Sequence, residues 1–190
     1  MNTLEENYSE IEVITYYLKF EKFEEHEFFQ VPSNVKIEKI ENMGVAQYRE
    51  MFLAVGSEWG WSGRLILPDE ELQQELLRNS LEIYKLFYNN QFAGFAEIDC
   101  ANSKEIEILY FGLIPEFIGK GLGRLLMNFI KNRAKNFSPS MLFLHTCNHD
   151  HPKALTFYQK SGFVLFNTEI SNELYPLHYI QKHLLNNSCT

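Results

Sequence analysis

The first part of the chain shows one strand-like and two helix-like patterns of apolar residues. Ile11–Phe20 is rich in β-branched and aromatic residues and predicts a strand, whereas residues 20–35 show no clear period and predict a loop. In Gly44–Val55, apolar residues recur at helical spacing and predict a helix. A turn-forming stretch, Gly56–Gly63, separates it from a second helix that begins near Pro68, where acidic residues suit the helix dipole.

The middle of the chain predicts an antiparallel meander. Ile83–Tyr88, Phe92–Asp99 and Glu105–Leu113 all have strand-like composition, and turn-forming residues lie between them. The third strand ends before Pro115.

The remainder predicts alternating strands and helices. The predicted elements are a helix at Leu122–Ala134, a strand at Met141–Thr146, a helix at Pro152–Ser161, a strand starting at Phe163, and a last strand at Leu177–Ile180. The order of helices, meander and alternating elements predicts an α/β (α+β) fold, with a mixed central sheet flanked by helices.

The segment between the third meander strand and the following helix has the sequence GKGLGR, from Gly119 to Arg124. Glycines let backbone N–H groups approach a phosphate closely, and the N-terminus of the next helix favours negative charge. Five basic residues and no acidic one lie between Phe117 and Lys135: Lys120, Arg124, Lys131, Arg133 and Lys135. The spacing fits neither a P-loop nor a dinucleotide fingerprint. A glycine-rich helix entry without a ligand remains the alternative.

Composition and charge limit the classes of protein to which this chain could belong. The net charge of -8 argues against a general nucleic-acid binder, and a local basic patch would be needed to hold an anionic cofactor. No apolar run approaches the roughly 20 residues of a membrane span, and the N-terminus is not a secretory signal. Three scattered cysteines, Cys100, Cys147 and Cys189, form no metal-ligand set. We therefore expect a cytoplasmic protein without nucleic-acid or membrane partners.

Two segments carry a resemblance to a known family. Leu113–Leu126, with the sequence LIPEFIGKGLGRLL, resembles the coenzyme-A loop of the GNAT superfamily of N-acetyltransferases. Ala154–Phe163, with the sequence ALTFYQKSGF, resembles the second motif of that family, A-x-x-x-Y-x-x-x-G-F. The combination of Tyr110–Pro115 with His145–Pro152 also resembles a bacterial subgroup of undefined substrate.

The resemblance implies a fold and a reaction. The expected fold is a mostly antiparallel sheet whose central strands splay apart, in one domain over residues 1–190 with a core at about 36–182 and a frayed tail at 186–190. The implied activity is transfer of an acetyl group from acetyl-CoA to a primary amine of a small molecule or protein, by direct attack in a ternary complex. The protein would be a monomer or a homodimer.

The sequence departs from the family pattern at two positions. Ile118 occupies a position that is usually Gln or Arg, and His151 occupies one where many members carry Asn. These departures motivate a second hypothesis, a degenerate member that binds acyl-CoA as a sensor or scaffold without turnover. A longer acyl chain or a hydroxyl acceptor is a third.

The resemblance also assigns residues to the cofactor. Backbone groups of the third meander strand would bond the pantetheine arm, and the loop would hold the pyrophosphate. The implied cofactor-binding residues are Phe111, Gly112, Leu113, Ile114, Gly119, Lys120, Gly121, Leu122, Gly123, Arg124, His151, Ala154 and Tyr158.

The resemblance also implies that three residues take part in catalysis. Tyr158 matches the tyrosine that protonates the leaving thiolate, and the backbone amide of Leu113 is the expected oxyanion donor. Glu107 is the expected general base, with His145 and His151 as alternatives. The His and Asp residues at 145–151 could suggest a metal site, but the family uses no metal, and none is expected.

The acceptor pocket is expected to involve the loop between the two early helices. Aromatic walls with a carboxylate suit an amine, so Glu58, Trp59, Trp61 and Arg64 are predicted to contact the acceptor. Glu105 shares a strand face with Glu107 and is a further candidate. The alternative for both tryptophans is a place in the core.

Overall fold

The computed structural model describes residues 7–23 and 30–185. It contains one seven-stranded sheet, with the strand order β2-β3-β4-β5-β6-β1-β7. The strands are β1 (Tyr8–Phe20), β2 (Val35–Ile40), β3 (Leu81–Tyr88), β4 (Gln91–Asp99), β5 (Glu105–Leu113), β6 (Met141–Cys147) and β7 (Val164–Pro176).

Helices cover both faces of this sheet. On one face, α1 (Val45–Gly56) and α2 (Asp69–Leu76) pack around a core that includes Phe52, Leu72 and Phe95. On the other face, α3 (Leu122–Lys135) and α4 (Ala154–Lys160) enclose a larger core. A short helix, α5 (Leu177–Ile180), follows β7. None of the helices in the described ranges has the length and apolar character that a bilayer span requires.

Every neighbouring pair of strands is antiparallel except β5 and β6, which are parallel. This parallel pair is short. It runs from Glu105 opposite Met141 to Ile108 opposite Leu144, although both strands continue beyond that point. The two central strands therefore separate in the middle of the sheet, and the predicted fold class is confirmed.

A bulge in β5 marks the point of separation. Ile98 of β4 lies opposite Ile108, but the next residue, Glu97, lies opposite Tyr110, so Leu109 is the extra residue. A β-bulge bends its strand and ends regular pairing, and bulges are frequent near functional sites. The bulge turns the end of β5 away from β6.

Two parts of the sequence interpretation differ from the structure. The strand β2 was not predicted, because the adjacent charged residues Glu38 and Lys39 interrupt the apolar–polar alternation that begins at Val35. The sheet reaches back to Tyr8, before the expected start of the core at residue 36, because β1 lies between β6 and β7. The predicted tail at 186–190 and residues 24–29 of the predicted loop lie outside the described residues.

The prediction of a last strand at Leu177–Ile180 is wrong. These residues form α5, and a π-helical turn, Gln181–Leu185, continues it. The rings of Tyr175, Tyr179 and His183 follow one another at a spacing of four residues, with centroids 5.3 and 4.6 Å apart. The contact of Tyr179 with His183 is a helical i,i+4 contact, whereas Tyr175 still belongs to β7. Tyr179 is buried in a cluster with Val13 of β1.

Candidate active site

Two cavities meet in the gap between β5 and β6. One has a volume of about 1520 Å³ and lies on the side of α3 and α4; the other has a volume of about 340 Å³ and lies on the opposite side of the sheet. Phe111 and Tyr158 line both cavities. The two compartments therefore adjoin one another at these two residues.

The larger compartment, called here the basic cavity, is lined by cationic side chains, and no Asp or Glu is among its described lining residues. Because the whole chain carries a net charge of -8, this concentration of positive charge is local. The cationic residues are Lys22, Arg124, Lys131, Lys135, Lys153 and Lys160.

The glycine loop forms one wall of the basic cavity. Gly119 and Gly121 have φ angles of 86° and 79°, which residues with a side chain rarely adopt, and open space surrounds both α-carbons. Gly121 is the N-cap of α3 and offers no side-chain cap to the first turn. The N–H groups of that turn lack intrahelical partners and are available to an anion.

Two of the five predicted basic residues lie elsewhere. The guanidinium of Arg133 binds the carboxylate of Glu82, with Nη2 2.6 Å from Oε1. The Nζ atom of Lys120 lies 4.9 Å from the ring centroid of Phe117 and is not among the cavity-lining atoms. The basic cavity instead gains Lys22, which follows β1, Lys160 of the second motif, and Lys153, which directly precedes that motif.

The end of β5 presents backbone donors to the gap. The N–H of Ile114 donates to the carbonyl of Ala93 in β4, at 2.9 Å. Because successive N–H groups of a strand point to opposite sides, Gly112 also faces β4, whereas Phe111 and Leu113 face the gap. The Leu113 amide therefore has the direction expected of an oxyanion donor, and Phe111 supplies a second one nearer the junction.

Tyr158 occupies the junction itself. It is 8% exposed and packs against the rings of Phe111, Phe157 and Phe163. Burial, with a smaller effect of the nearby Asp150 carboxylate, raises the pKa of its hydroxyl. Among the described residues no group hydrogen-bonds to this hydroxyl, so the proton of a buried phenol faces the meeting point of the cavities.

His145 of β6 is paired with Glu107 of β5. Its Nδ1 lies 3.6 Å from Oε1 of Glu107, and this interaction raises the pKa of the imidazole. His145 lines the smaller cavity, whereas Glu107 is not among the lining residues. The imidazole therefore faces the smaller cavity, and the carboxylate of Glu107 lies behind it.

The smaller compartment, called here the acidic cavity, is lined by Asp150 and Glu173 and by no Lys or Arg among the described residues. Trp61 forms a wall of it and donates from Nε1 to Oδ1 of Asp150, at 3.0 Å. Asp150 also accepts from Thr146 and from the backbone N–H of Cys147. The carboxylate of Asp150 is therefore already hydrogen-bonded to protein groups. Glu173 is the carboxylate that is more available to a molecule in the cavity.

Four of the residues predicted to contact the acceptor lie outside the acidic cavity. The carboxylate of Glu58 pairs with Nζ of Lys182 at 2.9 Å, and Glu105 accepts from Asn102 at the far end of β5. Trp59 packs edge-on against the ring of His151, with centroids 5.0 Å apart, near the basic cavity. Of the predicted set, Trp61 alone lines the acidic cavity.

The fourth, Arg64, is buried in a polar network. Its guanidinium binds Glu97, which is 0% exposed, and the hydroxyl of Tyr48 donates to the same carboxylate at 2.5 Å. Burial raises the pKa of Glu97, so the carboxylate depends on Arg64 and Tyr48 for its charge. The Nε atom of Arg64 is buried without a hydrogen-bond partner. This network supports the fold beside the acidic cavity.

Of the thirteen residues assigned to the cofactor, nine line the basic cavity, and four lie outside it. Gly112, Ile114 and Leu122 face neighbouring strands or the core, and Lys120 lies over Phe117. The nine are Phe111, Leu113, Gly119, Gly121, Gly123, Arg124, His151, Ala154 and Tyr158.

Sequence reasoning missed the contribution of β7 to the acidic cavity. Glu173 and Tyr175 line it, together with Thr15 of β1 and Cys147 of β6. No motif marks these positions. They approach the cavity because β7 pairs with β1 along its whole length, a long-range register that no local pattern encodes.

Comparison with known proteins identifies the protein family that this chain matches. The acetyltransferase (GNAT) domain family matches residues 61–183. An uncharacterized N-acetyltransferase, YdgE, of Bacillus subtilis (strain 168) is 35% identical over 71 residues, which cover 37% of this chain and 45% of that protein.

Two solved structures show the same fold. A GNAT family acetyltransferase from Elizabethkingia anophelis, with acetyl-CoA bound, aligns at a TM-score of 0.55 and 24% identity, over 72% of this chain and 80% of that one. A GCN5-related N-acetyltransferase from Sphaerobacter thermophilus aligns at a TM-score of 0.62 and 11% identity, over 90% of this chain and 54% of that one. The aligned part is thus about half of the Sphaerobacter protein and less than half of YdgE. The family match, the splayed strands and the glycine loop together establish that this chain belongs to the GNAT acetyltransferase family.

Proposed function

We propose that this protein transfers an acetyl group from acetyl-CoA to a primary amine, by direct attack of the amine in a ternary complex. The observation that carries the proposal is the meeting of a basic and an acidic cavity at Phe111 and Tyr158. A polyanionic donor and a cationic acceptor would each enter the compartment of opposite charge. Their reactive ends would meet where the two compartments join.

The basic cavity fits coenzyme A. Its adenosine and pyrophosphate groups carry several negative charges, and the cavity provides six cationic side chains beside the glycine loop. The pantetheine arm carries amide groups, and the gap-facing N–H groups of β5 can bond them as an added strand would. The GNAT structure from Elizabethkingia holds acetyl-CoA, which supports the same class of donor here.

Bound acetyl-CoA supplies a thioester, an acyl group activated for attack by an amine. The residues around the junction then have separate tasks. The N–H groups of Leu113 and Phe111 donate to the carbonyl oxygen as it gains negative charge. The Tyr158 hydroxyl, kept protonated by its raised pKa, gives its proton to the departing sulfur.

The acceptor must lose a proton before it can attack. His145 is the proposed base, because its ring lines the acidic cavity, and Glu107 is proposed to orient the ring and to stabilise its charged form. Glu107 then acts through His145. His151 is a weaker candidate, since its Nδ1 accepts a hydrogen bond from the N–H of Lys153 at 3.0 Å.

The acceptor is proposed to be a small cationic amine. Trp61 and Tyr110 provide aromatic walls, and Glu173 provides a carboxylate at the cavity surface. A volume of about 340 Å³ accommodates a small molecule or a single side chain of a protein.

One observation favours the alternative of an acyl-CoA sensor without turnover. Ile118 places an apolar side chain, 37% exposed, in the wall of the basic cavity, at the position that is usually Gln or Arg. One polar contact with the donor would be absent. This weakens the case for tight, specific binding but leaves the backbone donors and Tyr158 in place.

Thiol release separates the two functions. The protein is incubated with acetyl-CoA and a panel of diamines, amino sugars and lysine peptides, and free coenzyme A is followed with a thiol reagent. Amine-dependent thiol release supports the transferase. Saturable acetyl-CoA binding without release from any amine supports the sensor.

The loop assignment has its own test. Gly121→Val places a β-branched residue at a φ of 79°, which should distort the loop and weaken acetyl-CoA binding at least about tenfold. Gly44→Ala is the matched control, because Gly44 has a φ of -77° and open space around it. Unchanged acetyl-CoA affinity in the Gly121→Val protein would reject the loop as the phosphate site.

We also propose that the chain is one catalytic domain acting in a reducing compartment, the cytoplasm. The free thiols of Cys100 and Cys147 support this location. One sheet containing strands from both ends of the described chain supports the single domain.

A further inference from the structure

The proposed reaction gives no task to the hydroxyl group of Tyr110, although Tyr110 lines the acidic cavity. Other polar groups of the lining already have protein partners: Trp61 donates to Asp150, and the hydroxyl of Ser62 donates to a carbonyl of β7. No group in the described part of the chain hydrogen-bonds to the hydroxyl of Tyr110. A polar group left without a partner in a cavity wall is a candidate contact for a bound molecule.

Neighbouring side chains fix the ring of Tyr110. Its centroid lies 4.8 Å from that of Phe52 and 5.4 Å from that of Trp61, and the guanidinium carbon of Arg64 lies 5.7 Å from it. A Cβ atom built on Gly63 would lie 2.6 Å from the hydroxyl oxygen, so this oxygen lies against the backbone of the loop that borders the cavity. The position of the hydroxyl is therefore set before a ligand binds, which lowers the entropic cost of a hydrogen bond to it.

The hydroxyl of Tyr110 keeps its proton at neutral pH. Burial raises its pKa to about 12; Arg64 opposes this rise, and nearby carboxylates, including that of Glu173, add to it. The acidic cavity therefore contains a neutral O–H group that can donate one hydrogen bond.

The chemistry of the cavity limits which ligand group can accept that hydrogen bond. An ammonium group has only donors, and an amine that has lost its proton uses its lone pair to attack the thioester. A ligand carboxylate would meet the negative charges of Asp150 and Glu173, and no Lys or Arg is found among the described lining residues. The partner that remains is a neutral oxygen atom of the acceptor.

We propose that the acceptor amine carries a hydroxyl group, and that Tyr110 selects this acceptor by donating a hydrogen bond to the hydroxyl oxygen. The hydroxyl of the acceptor has a proton of its own, and the carboxylate of Glu173 supplies a hydrogen-bond acceptor in the same cavity. An amine without the hydroxyl would leave the donor of Tyr110 buried and unpaired, which weakens its binding. The inference rests on the proposed acetyl transfer and narrows its substrate to amino alcohols.

Pairs of amines that differ in one hydroxyl group test the proposal: ethanolamine with ethylamine, propanolamine with propylamine, and aminocyclohexanol with cyclohexylamine. In at least one pair, the wild-type protein should use the hydroxylated amine with a kcat/KM at least about tenfold higher. Tyr110→Phe keeps the packing of the ring, so it should remove this preference and leave kcat/KM for the amine without a hydroxyl unchanged. Tyr16→Phe, on β1 outside both cavities, should keep the preference.

Gly63→Ala changes the position of the same hydroxyl from the other side. The added methyl group would displace the oxygen of Tyr110 and should also remove the preference. In the Tyr110→Phe protein the nearest ring carbon lies 3.9 Å from the added methyl, so Gly63→Ala should have no further effect on the preference there.

Calorimetric titration of the same amines, with coenzyme A in place of acetyl-CoA, measures the preference without turnover. Tighter binding of a hydroxylated amine that is lost in the Tyr110→Phe protein supports the inference even when no amine releases thiol, and only the acetyl transfer then fails. The inference is overturned when the wild-type protein shows no preference in any pair, or when the preference survives Tyr110→Phe.

Discussion

The basic and acidic cavities share Phe111 and Tyr158 but differ in which parts of the chain supply their charged side chains. Six cationic side chains from several elements line the basic cavity, and many of them lie on or beside the two sequence motifs. The acidic cavity takes its carboxylates from Asp150 and from the long-range strand β7. The proposed donor side is therefore encoded locally, whereas the proposed acceptor side depends on tertiary pairing. This difference explains why the donor is easier to recognise from sequence than the acceptor.

The largest expected effect lies at the junction. Tyr158→Phe keeps the packing of a buried ring and removes the only group proposed to protonate the leaving sulfur, so kcat should fall about 100-fold or more. Acetyl-CoA affinity should stay near the wild-type value, because the basic cavity is unchanged. Steady-state kinetics and calorimetric titration with acetyl-CoA measure the two quantities.

Tyr16→Phe is the control for that experiment, because Tyr16 lies on β1 outside both cavities. Wild-type turnover in the Tyr158→Phe protein would remove the acid role of Tyr158. The cavities would then meet without a proton donor from the chain.

The next effect is on stability. Arg64→Met leaves the buried carboxylate of Glu97 without its cationic partner and should lower the free energy of unfolding by about 3–5 kcal/mol. Arg78→Met, which breaks partly exposed ion pairs with Glu75 and Asp99, should cost less than about 1 kcal/mol. Urea unfolding of both proteins measures the difference. A raised acceptor KM with unchanged stability would instead make Arg64 an acceptor contact.

Charge reversal tests the comparison directly. Arg124→Glu in the basic cavity should raise the acetyl-CoA KM about five- to tenfold and leave the acceptor KM unchanged. Glu173→Lys in the acidic cavity should do the reverse for a cationic amine. Lys104→Glu, on the turn before β5 and outside both linings, is the control. If both reversals change the same KM, the compartments do not have separate substrates.

The smallest effect is a shift in pH dependence. Glu107 raises the pKa of His145, and a base must be neutral to act, so kcat/KM should rise with pH through this ionisation. Glu107→Gln removes the stabilisation of the charged imidazole and should move the acidic limb to lower pH. The pH profile of kcat/KM measures the shift, with His178→Gln as an exposed control.

A different result would reassign the base. A large loss of activity at every pH in the Glu107→Gln protein would indicate that Glu107 itself removes the proton. An unmoved acidic limb would indicate that neither group of the pair does.

The sequence predicted the fold class, the meander and the glycine loop, because each depends on neighbouring residues. The alternation in β3 to β5 and the left-handed glycines at 119 and 121 are local signals. The candidate site around Tyr158 was predicted from the resemblance of two motifs to the GNAT family. Nine of the residues assigned to the cofactor in this way lie along one cavity.

The acceptor side was predicted less well, because it depends on pairing across the chain. Arg64 looked available for an amine, but its partner Glu97 lies 33 residues away on β4. Glu173 had no local signal, since its place at the cavity comes from the pairing of β7 with β1. The helix at Leu177–Ile180 was taken for a strand because its apolar residues are too few to show a period.

The single extra residue of β5, Leu109, has a consequence for what mutation can change. Before the bulge, Glu107 lies opposite Asp99 and its backbone faces β4; after it, the odd-numbered residues Phe111 and Leu113 face the gap. Changing the side chain at 109 leaves this alternation intact. Deleting the residue would turn the N–H groups that now face the gap toward β4, and those that now face β4 toward the gap. In this part of β5, the number of residues is therefore more strictly constrained than the type of residue at position 109. Insertions and deletions between Ile108 and Tyr110 should therefore be far less tolerated than substitutions.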